Sequence, residues 1–167
     1  MLLFLLPLLV LSAVPTSNNC TLNTFEQPID HFDPKDTWTQ EYYLCLPKDT
    51  SGPVFFYPGI LQVNTTGFMW EFGTQMGASL IFAKPREKFS LQPTQTLSDF
   101  AHLIAHLPST VVVTFGSGES GLLAAWLRMK YPHLVEGAMA SSAPLMVPQI
   151  WSNYSLYAQI FAKAAGP

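Results

Sequence analysis

The stretch VVVTFGSGESGLLAAW, residues 111–126, decides how this chain folds. Its β-branched start shows no polar alternation, which predicts a strand over residues 110–115 that is buried on both faces. Three small residues at 116–118 then predict a tight turn, and residues 119–131 predict a helix that Pro132 ends. Such a turn can expose one side chain at the end of a sheet. The helix N-terminus behind it supplies free N–H groups for a developing negative charge.

Strand and helix patterns alternate on both sides of this stretch. An apolar stripe of Leu97, Phe100, Ala101 and Ile104 at helical spacing predicts a helix over residues 97–107. The other predicted elements are strands at 40–46, 54–57, 79–83 and 137–142, and a helix at 68–76. Alternation of this kind predicts an α/β fold with a mainly parallel sheet and right-handed crossovers.

Length and composition restrict the classes of function. The 167 residues suggest one domain, and 49% of them are hydrophobic while only 11% are charged. With a net charge of −3, the chain has neither a basic stripe for nucleic acid nor a polybasic patch for anionic lipid. No motif points to a cofactor or a bound metal.

The amino-terminal residues predict entry into the secretory pathway. The apolar run that begins at Met1 is too short to span a membrane, and small and polar residues follow it. We therefore predict a signal peptide at residues 1–17 and one domain at 18–167, with a lysosomal or extracellular destination. The glycosylation sequons at Asn19, Asn64 and Asn153 agree with that compartment, and Asn64 is the best candidate because it lies in a polar stretch.

The two cysteines admit two interpretations. In an oxidising lumen, Cys20 and Cys45 can form a disulfide. Alternatively Cys45, which lies inside an apolar run, is a buried thiol.

Several segments resemble one family of peptidases. They are QPIDHF at 27–32, GPVFFY at 52–57, NTTGFMW at 64–70, TLSDFA at 96–101 and LRMKYPHLVEGAMASSAP at 127–144. Together they resemble the family of lysosomal Pro-X carboxypeptidase and dipeptidyl peptidase II, and residues 64–70 are closest to the carboxypeptidase branch. The resemblance implies an α/β-hydrolase fold, a nucleophile elbow at the tight turn, and serine exopeptidase activity on peptides with proline near a terminus.

The departures from this family concern the site itself. The family elbow resembles GGSYGG, and ungapped alignment places its nucleophilic serine on Gly118, which has no hydroxyl. The family's EHRYYG stretch is replaced by KPREKF at 84–89. The resemblance also implies a helical cap and a later Asp and His. No aspartate follows Gly118 and no histidine follows His133, so we expect a truncated hydrolase without cap and C-terminal part.

Other polar residues near the turn have less specific interpretations. Ser120 is a weak substitute for the missing nucleophile, but it is expected in the first turn of the helix, with Ser117 as the cap. Glu119 is expected to interact favourably with the helix dipole. His133, just past the helix end, is expected on the surface.

A second polar group lies on the preceding helix. Asp99, His102 and His106 fall on one face, which predicts a solvated polar face, with a metal cluster as the alternative. Asp30 and His31 precede the elbow, which is the wrong order for the usual triad, and His31 is expected to be structural.

Three interpretations of the function remain open. The first is an inactive relative of a post-proline serine exopeptidase, arising as a splice product, a degenerate paralogue or an incomplete gene model. The second is a catalytically dead secreted domain that binds a peptide or a full-length relative. A non-functional fragment is the third possibility.

Overall fold

A computed structural model describes residues 20–45, 52–59, 67–86, 93–107 and 111–145. The elements in chain order are β1 (Cys20–Pro28), β2 (Thr37–Cys45), β3 (Val54–Pro58), α1 (Gly67–Gln75), β4 (Ser79–Ala83), α2 (Pro93–Ala105), β5 (Val112–Ser117), α3 (Glu119–Lys130) and β6 (Gly137–Ser141). The predicted signal peptide, the three sequon asparagines and the segment after residue 145 lie outside the described residues.

The six strands form one sheet in the order β1-β2-β4-β3-β5-β6. β1, β2 and β4 pair antiparallel, whereas β4, β3, β5 and β6 pair parallel. The prediction of an α/β fold with a mainly parallel sheet is therefore confirmed. The chain leaves β3 towards β4 and leaves β5 towards β6, so the winding direction changes between β3 and β5. In open α/β sheets, the crevice at the carboxyl ends of two such strands is the usual ligand site.

Both faces of the sheet are covered, which explains why its central strands are continuously apolar. Every residue of β3 and β4 is buried. On one face Phe56 and Ile81 pack with Phe100 of α2 and Leu123 of α3. On the other face Phe55 and its neighbours pack with Met69 of α1.

The β1–β2 hairpin was only half predicted. β2 begins at Thr37, three residues before the predicted strand, and β1 was not predicted at all. β1 contains Asn, Gln and Glu and is largely exposed, so it lacks the apolar signal of a strand. Cys20 and Cys45 are partners in the β1–β2 register, and the structure joins them by a disulfide.

Within the described part of the chain, no helix is both long enough and apolar enough to cross a membrane.

Candidate active site

The turn between β5 and α3 has the backbone conformation of an elbow. Gly118, the N-cap of α3, has φ of 58° and ψ of −123°, outside the region where side chains are usual. Its N–H donates to the carbonyl of Ser141 at 3.0 Å, and its carbonyl accepts from Leu122 N–H at 3.0 Å. These two bonds hold the turn between the end of β6 and the first turn of α3.

Small residues around the turn are required by close backbone approach. A Cβ added to Gly116 would collide with the backbone carbonyl of Ser120 in the helix. A Cβ on Gly121 would lie 2.9 Å from the Ser141 carbonyl oxygen and 3.1 Å from that of Gly116. The strand and the helix therefore meet backbone to backbone, which larger residues at 116 or 121 would prevent.

Gly118 itself is not crowded. A Cβ added there would meet none of the described residues within 4 Å, so no described residue blocks a side chain at this position. The turn follows the carboxyl end of β5, at the change of winding direction beside β3, and the N-terminus of α3 lies directly behind it. This geometry can present a nucleophile and stabilise negative charge near it. Glycine supplies no reactive atom to that position.

The two neighbouring serines lie beside the tip. Ser120 lies in the first turn of α3 and is partly buried, and a Cβ on Gly59 would collide with its Oγ. The Ser120 hydroxyl thus lies against the end of β3. The prediction that Ser117 caps the helix is wrong, because the N-cap is Gly118 and it has no side-chain capping bond. Ser117 is the last residue of β5, in register with Ser141, and the chain turns only after it.

The charged residues of α3 lie at its two ends, where Glu119 and Lys130 are exposed and Arg128 is half-buried. Glu119 lies in its first turn, while Arg128 and Lys130 lie in its last turn, each at the end of the helix dipole that favours its charge. His133 is exposed beyond the helix, 6.2 Å from the Tyr131 ring.

The prediction that Asp99, His102 and His106 form a solvated face is wrong. Asp99 is fully buried and forms a bidentate ion pair with Arg86, whose Nε and Nη2 donate to the carboxylate at 2.7 Å each. His31 Nε2 also bonds to this carboxylate, at 2.8 Å. This face of α2 is covered by β1 and the turn after it, so only His106 remains exposed. Pattern analysis missed the burial because β1 was not predicted.

The QPIDHF segment attaches to α2 through this network. Gln27, fully buried, bridges Gln40 of β2 and the Asp99 backbone carbonyl, at 2.8 and 2.7 Å. Asp30 Oδ1 accepts from Phe32 N–H and from Gln95 Nε2, and these bonds lower the pKa of Asp30. His31 is thus held in a structural network, away from the elbow.

The network is not arranged as a metal site. Arg86 and His31 already occupy both oxygens of Asp99. No group of three or more His, Cys, Asp or Glu in the described ranges could hold a metal ion. Sequence reasoning had not singled out Arg86 or Gln27. The sequence signal for Arg86 was its place three residues after the buried strand that ends at Ala83.

Comparison of the sequence with known proteins shows which family and which relatives it matches. The sequence model of the family described as serine carboxypeptidase S28 matches residues 27–164. Lysosomal Pro-X carboxypeptidase of Mus musculus is 36% identical over 173 residues, covering 81% of this chain and 35% of that protein. The Bos taurus protein of the same name is 37% identical over 158 residues, covering 75% and 32%. The chain thus spans about a third of the length of these relatives.

Solved structures share the fold alone. An esterase from the fungus Rhizomucor miehei superposes with a TM-score of 0.57 at 14% identity, covering 80% of this chain and 46% of that one. Acylaminoacyl peptidase from Pyrococcus horikoshii gives 0.50 at 14% identity, covering 75% and 23%. Both carry names of hydrolytic enzymes.

Proposed function

Since this chain belongs to the serine carboxypeptidase S28 family, we propose that it keeps the scaffold of a serine exopeptidase but not the nucleophile. The observation that carries the proposal is Gly118. It occupies the tip of the turn, at a positive φ, where an added Cβ would meet none of the described residues within 4 Å. Acyl transfer by this fold needs a hydroxyl at that point, activated by a base.

Ser120 does not replace the missing group. Its hydroxyl lies against Gly59, at the end of β3. Ser120 itself is partly buried in the first turn of α3, two residues after the tip. A nucleophile has to reach the carbonyl carbon of the substrate while hydrogen-bond donors contact the oxyanion that forms on the carbonyl oxygen. The position of Ser120 beside β3 supports a packing role.

The substrate class follows from the relatives by analogy. They are named Pro-X carboxypeptidases, so the ligand that we propose for this chain is a peptide with proline near a terminus. Without a nucleophile the chain would bind such a peptide, or a full-length relative, rather than cleave it. Gly118 thus supports a catalytically dead domain that binds the peptide ligands of the family.

We further propose that the chain works in the secretory pathway, in a lysosomal or extracellular setting. The Cys20–Cys45 disulfide supports an oxidising compartment. The relatives named lysosomal and the apolar residues 1–17 support the same destination.

Labelling with a fluorophosphonate probe tests the absence of a nucleophile. We expect the folded chain to label no more than a heat-denatured sample, because position 118 offers no oxygen. Ser120→Ala and Ser117→Ala are the matched variants, and neither should alter the signal. Labelling of the chain that Ser120→Ala abolishes would contradict the proposal and make Ser120 the nucleophile.

Expression in mammalian cells tests the compartment. We expect a product that glycosidase treatment shifts on a gel, with the shift reduced in Asn64→Gln, because Asn64 lies in a polar stretch between two apolar segments. Asn153→Gln and Asn19→Gln are the matched controls. A cytosolic product without any shift would show that the assigned compartment is wrong.

A further inference from the structure

Three histidines gather where β1 and the turn after it meet α2. The His31 ring lies 5.9 Å from the His102 ring, and His102 lies 4.8 Å from His106, centroid to centroid. Phe25 of β1 packs 5.1 Å from both His102 and His106. We call His31, His102 and His106 the histidine cluster. It lies apart from the elbow and has no part in the function proposed above.

Hydrogen bonds determine which nitrogen of His102 carries the proton. Gln40 Nε2 donates to the Lys84 carbonyl at 2.7 Å, so Gln40 Oε1 accepts from Gln27 Nε2. Gln27 Nε2 also donates to the Asp99 carbonyl, which leaves Gln27 Oε1 as an acceptor. His102 Nδ1, 2.8 Å from that oxygen, is therefore the donor.

The other two rings are donors as well. His31 Nε2 faces the Asp99 carboxylate at 2.8 Å, and His106 Nδ1 faces the His102 carbonyl at 2.8 Å. The neutral His102 ring thus already holds the proton that its bond to Gln27 requires, so acid adds a proton to its opposite nitrogen and gives the ring a positive charge.

Few negative charges are available to balance that change. Asp99 is already paired with Arg86. Asp30, in the turn after β1, is the other carboxylate beside His31. Glu26 bonds to Thr39 on the exposed side of the hairpin, because neighbouring residues of a strand point to opposite faces. Lys84 and Glu41 form their own exposed ion pair. Among these groups, a positive charge on His102 would therefore have only Asp99 to balance it, and Asp99 is already paired with Arg86.

We propose that the histidine cluster makes the attachment of β1 to α2 sensitive to acid. At neutral pH the His102 ring is uncharged and the network holds β1 and the turn after it on α2. On acidification this half-buried ring becomes charged between His31 and His106, and β1 separates locally from α2. The β2–β4 pairing lies outside the cluster and is retained.

The direction of the effect agrees with the environment of His102. Burial lowers its pKa from the ordinary 6.5, and the neighbouring His106 and His31 lower it further, against an opposing contribution of Asp99. The unfolded chain therefore takes up this proton first. Stability from this group is complete above about pH 6.5 and is lost as the pH falls below that value.

Thermal unfolding of the whole chain at about pH 7.5 and pH 5 tests the proposal, using the His102→Gln variant. Glutamine can donate to Gln27 Oε1 but does not titrate in this range. We expect the drop in Tm between the two pH values to be about half as large in His102→Gln as in the parent. His133→Gln is the matched control, because it removes an exposed histidine outside the cluster, and it should keep the parent's drop. Equal drops in all three proteins would overturn the proposal.

Two measurements on the unsubstituted chain remain decisive even where His102→Gln does not fold. The first is amide exchange, corrected for intrinsic rates. The ratio of the exchange rate in β1 to that in β4 should be about tenfold larger at pH 5 than at pH 7.5. In a titration of the imidazole resonances, the pKa of His102 should lie below the ordinary value of 6.5. Unchanged relative exchange, or a His102 pKa at or above 6.5, would overturn the proposal.

Discussion

Replacing Arg86 with methionine is expected to destabilise the chain by about 3–5 kcal/mol, a large fraction of the roughly 5–15 kcal/mol by which ordinary domains are stable. Asp99 is fully buried, and the Arg86 guanidinium supplies two of its bonds at 2.7 Å each. Arg86 also donates to the backbone carbonyls of Ile29 and Pro28, at 2.8 and 3.3 Å. The variant would leave a buried carboxylate without its cation and would release the turn after β1.

Urea denaturation at neutral pH measures this effect, with Lys84→Met as the matched control. Lys84 forms an ion pair with Glu41 at 3.1 Å, but both side chains are about half exposed, so its loss should cost at most about 1 kcal/mol. An Arg86→Met chain as stable as Lys84→Met would show that the buried pair contributes little. The histidine bond to Asp99 would then suffice to hold the turn.

Replacing Gly116 with alanine is expected to cost roughly 3 kcal/mol or more, since the added methyl group would collide with the Ser120 carbonyl and the Gly121 amide. Backbone atoms of a strand and a helix cannot move aside as a flexible side chain can. The elbow would have to open, and α3 would lose its packing against β5.

Gly118→Ser is the comparison that isolates this effect. Its side chain would meet nothing within 4 Å, so its cost should be limited to the strain of a positive φ, about 1–3 kcal/mol. Midpoints of chemical denaturation should therefore fall in the order parent, Gly118→Ser, Gly116→Ala. The reverse order of the two variants would show that the strand and helix do not meet backbone to backbone.

The resemblance to the peptidase family was confirmed by the match over residues 27–164. The motifs that carried it include packing residues of the fold, such as Phe56 in residues 52–57 and Phe100 in residues 96–101, both fully buried. Motifs of this kind can be recognised without knowing any contact. That is why the family could be recognised from one sequence. The chemistry of the site, in contrast, depends on a single position, Gly118.

The sequence alone determined the parallel core of the sheet and the strand, turn and helix around Gly118. Both depend on local signals: uninterrupted apolar runs for strands buried on two faces, and small residues where the chain must turn sharply. Only the tertiary structure decided what covers α2. The sequence around Asp99 does not distinguish a solvent-exposed side chain from one in a buried ion pair. Its partners Arg86 and His31 are 13 and 68 residues away along the chain. β1 brings them together through backbone pairing with β2, which its polar side chains do not reveal.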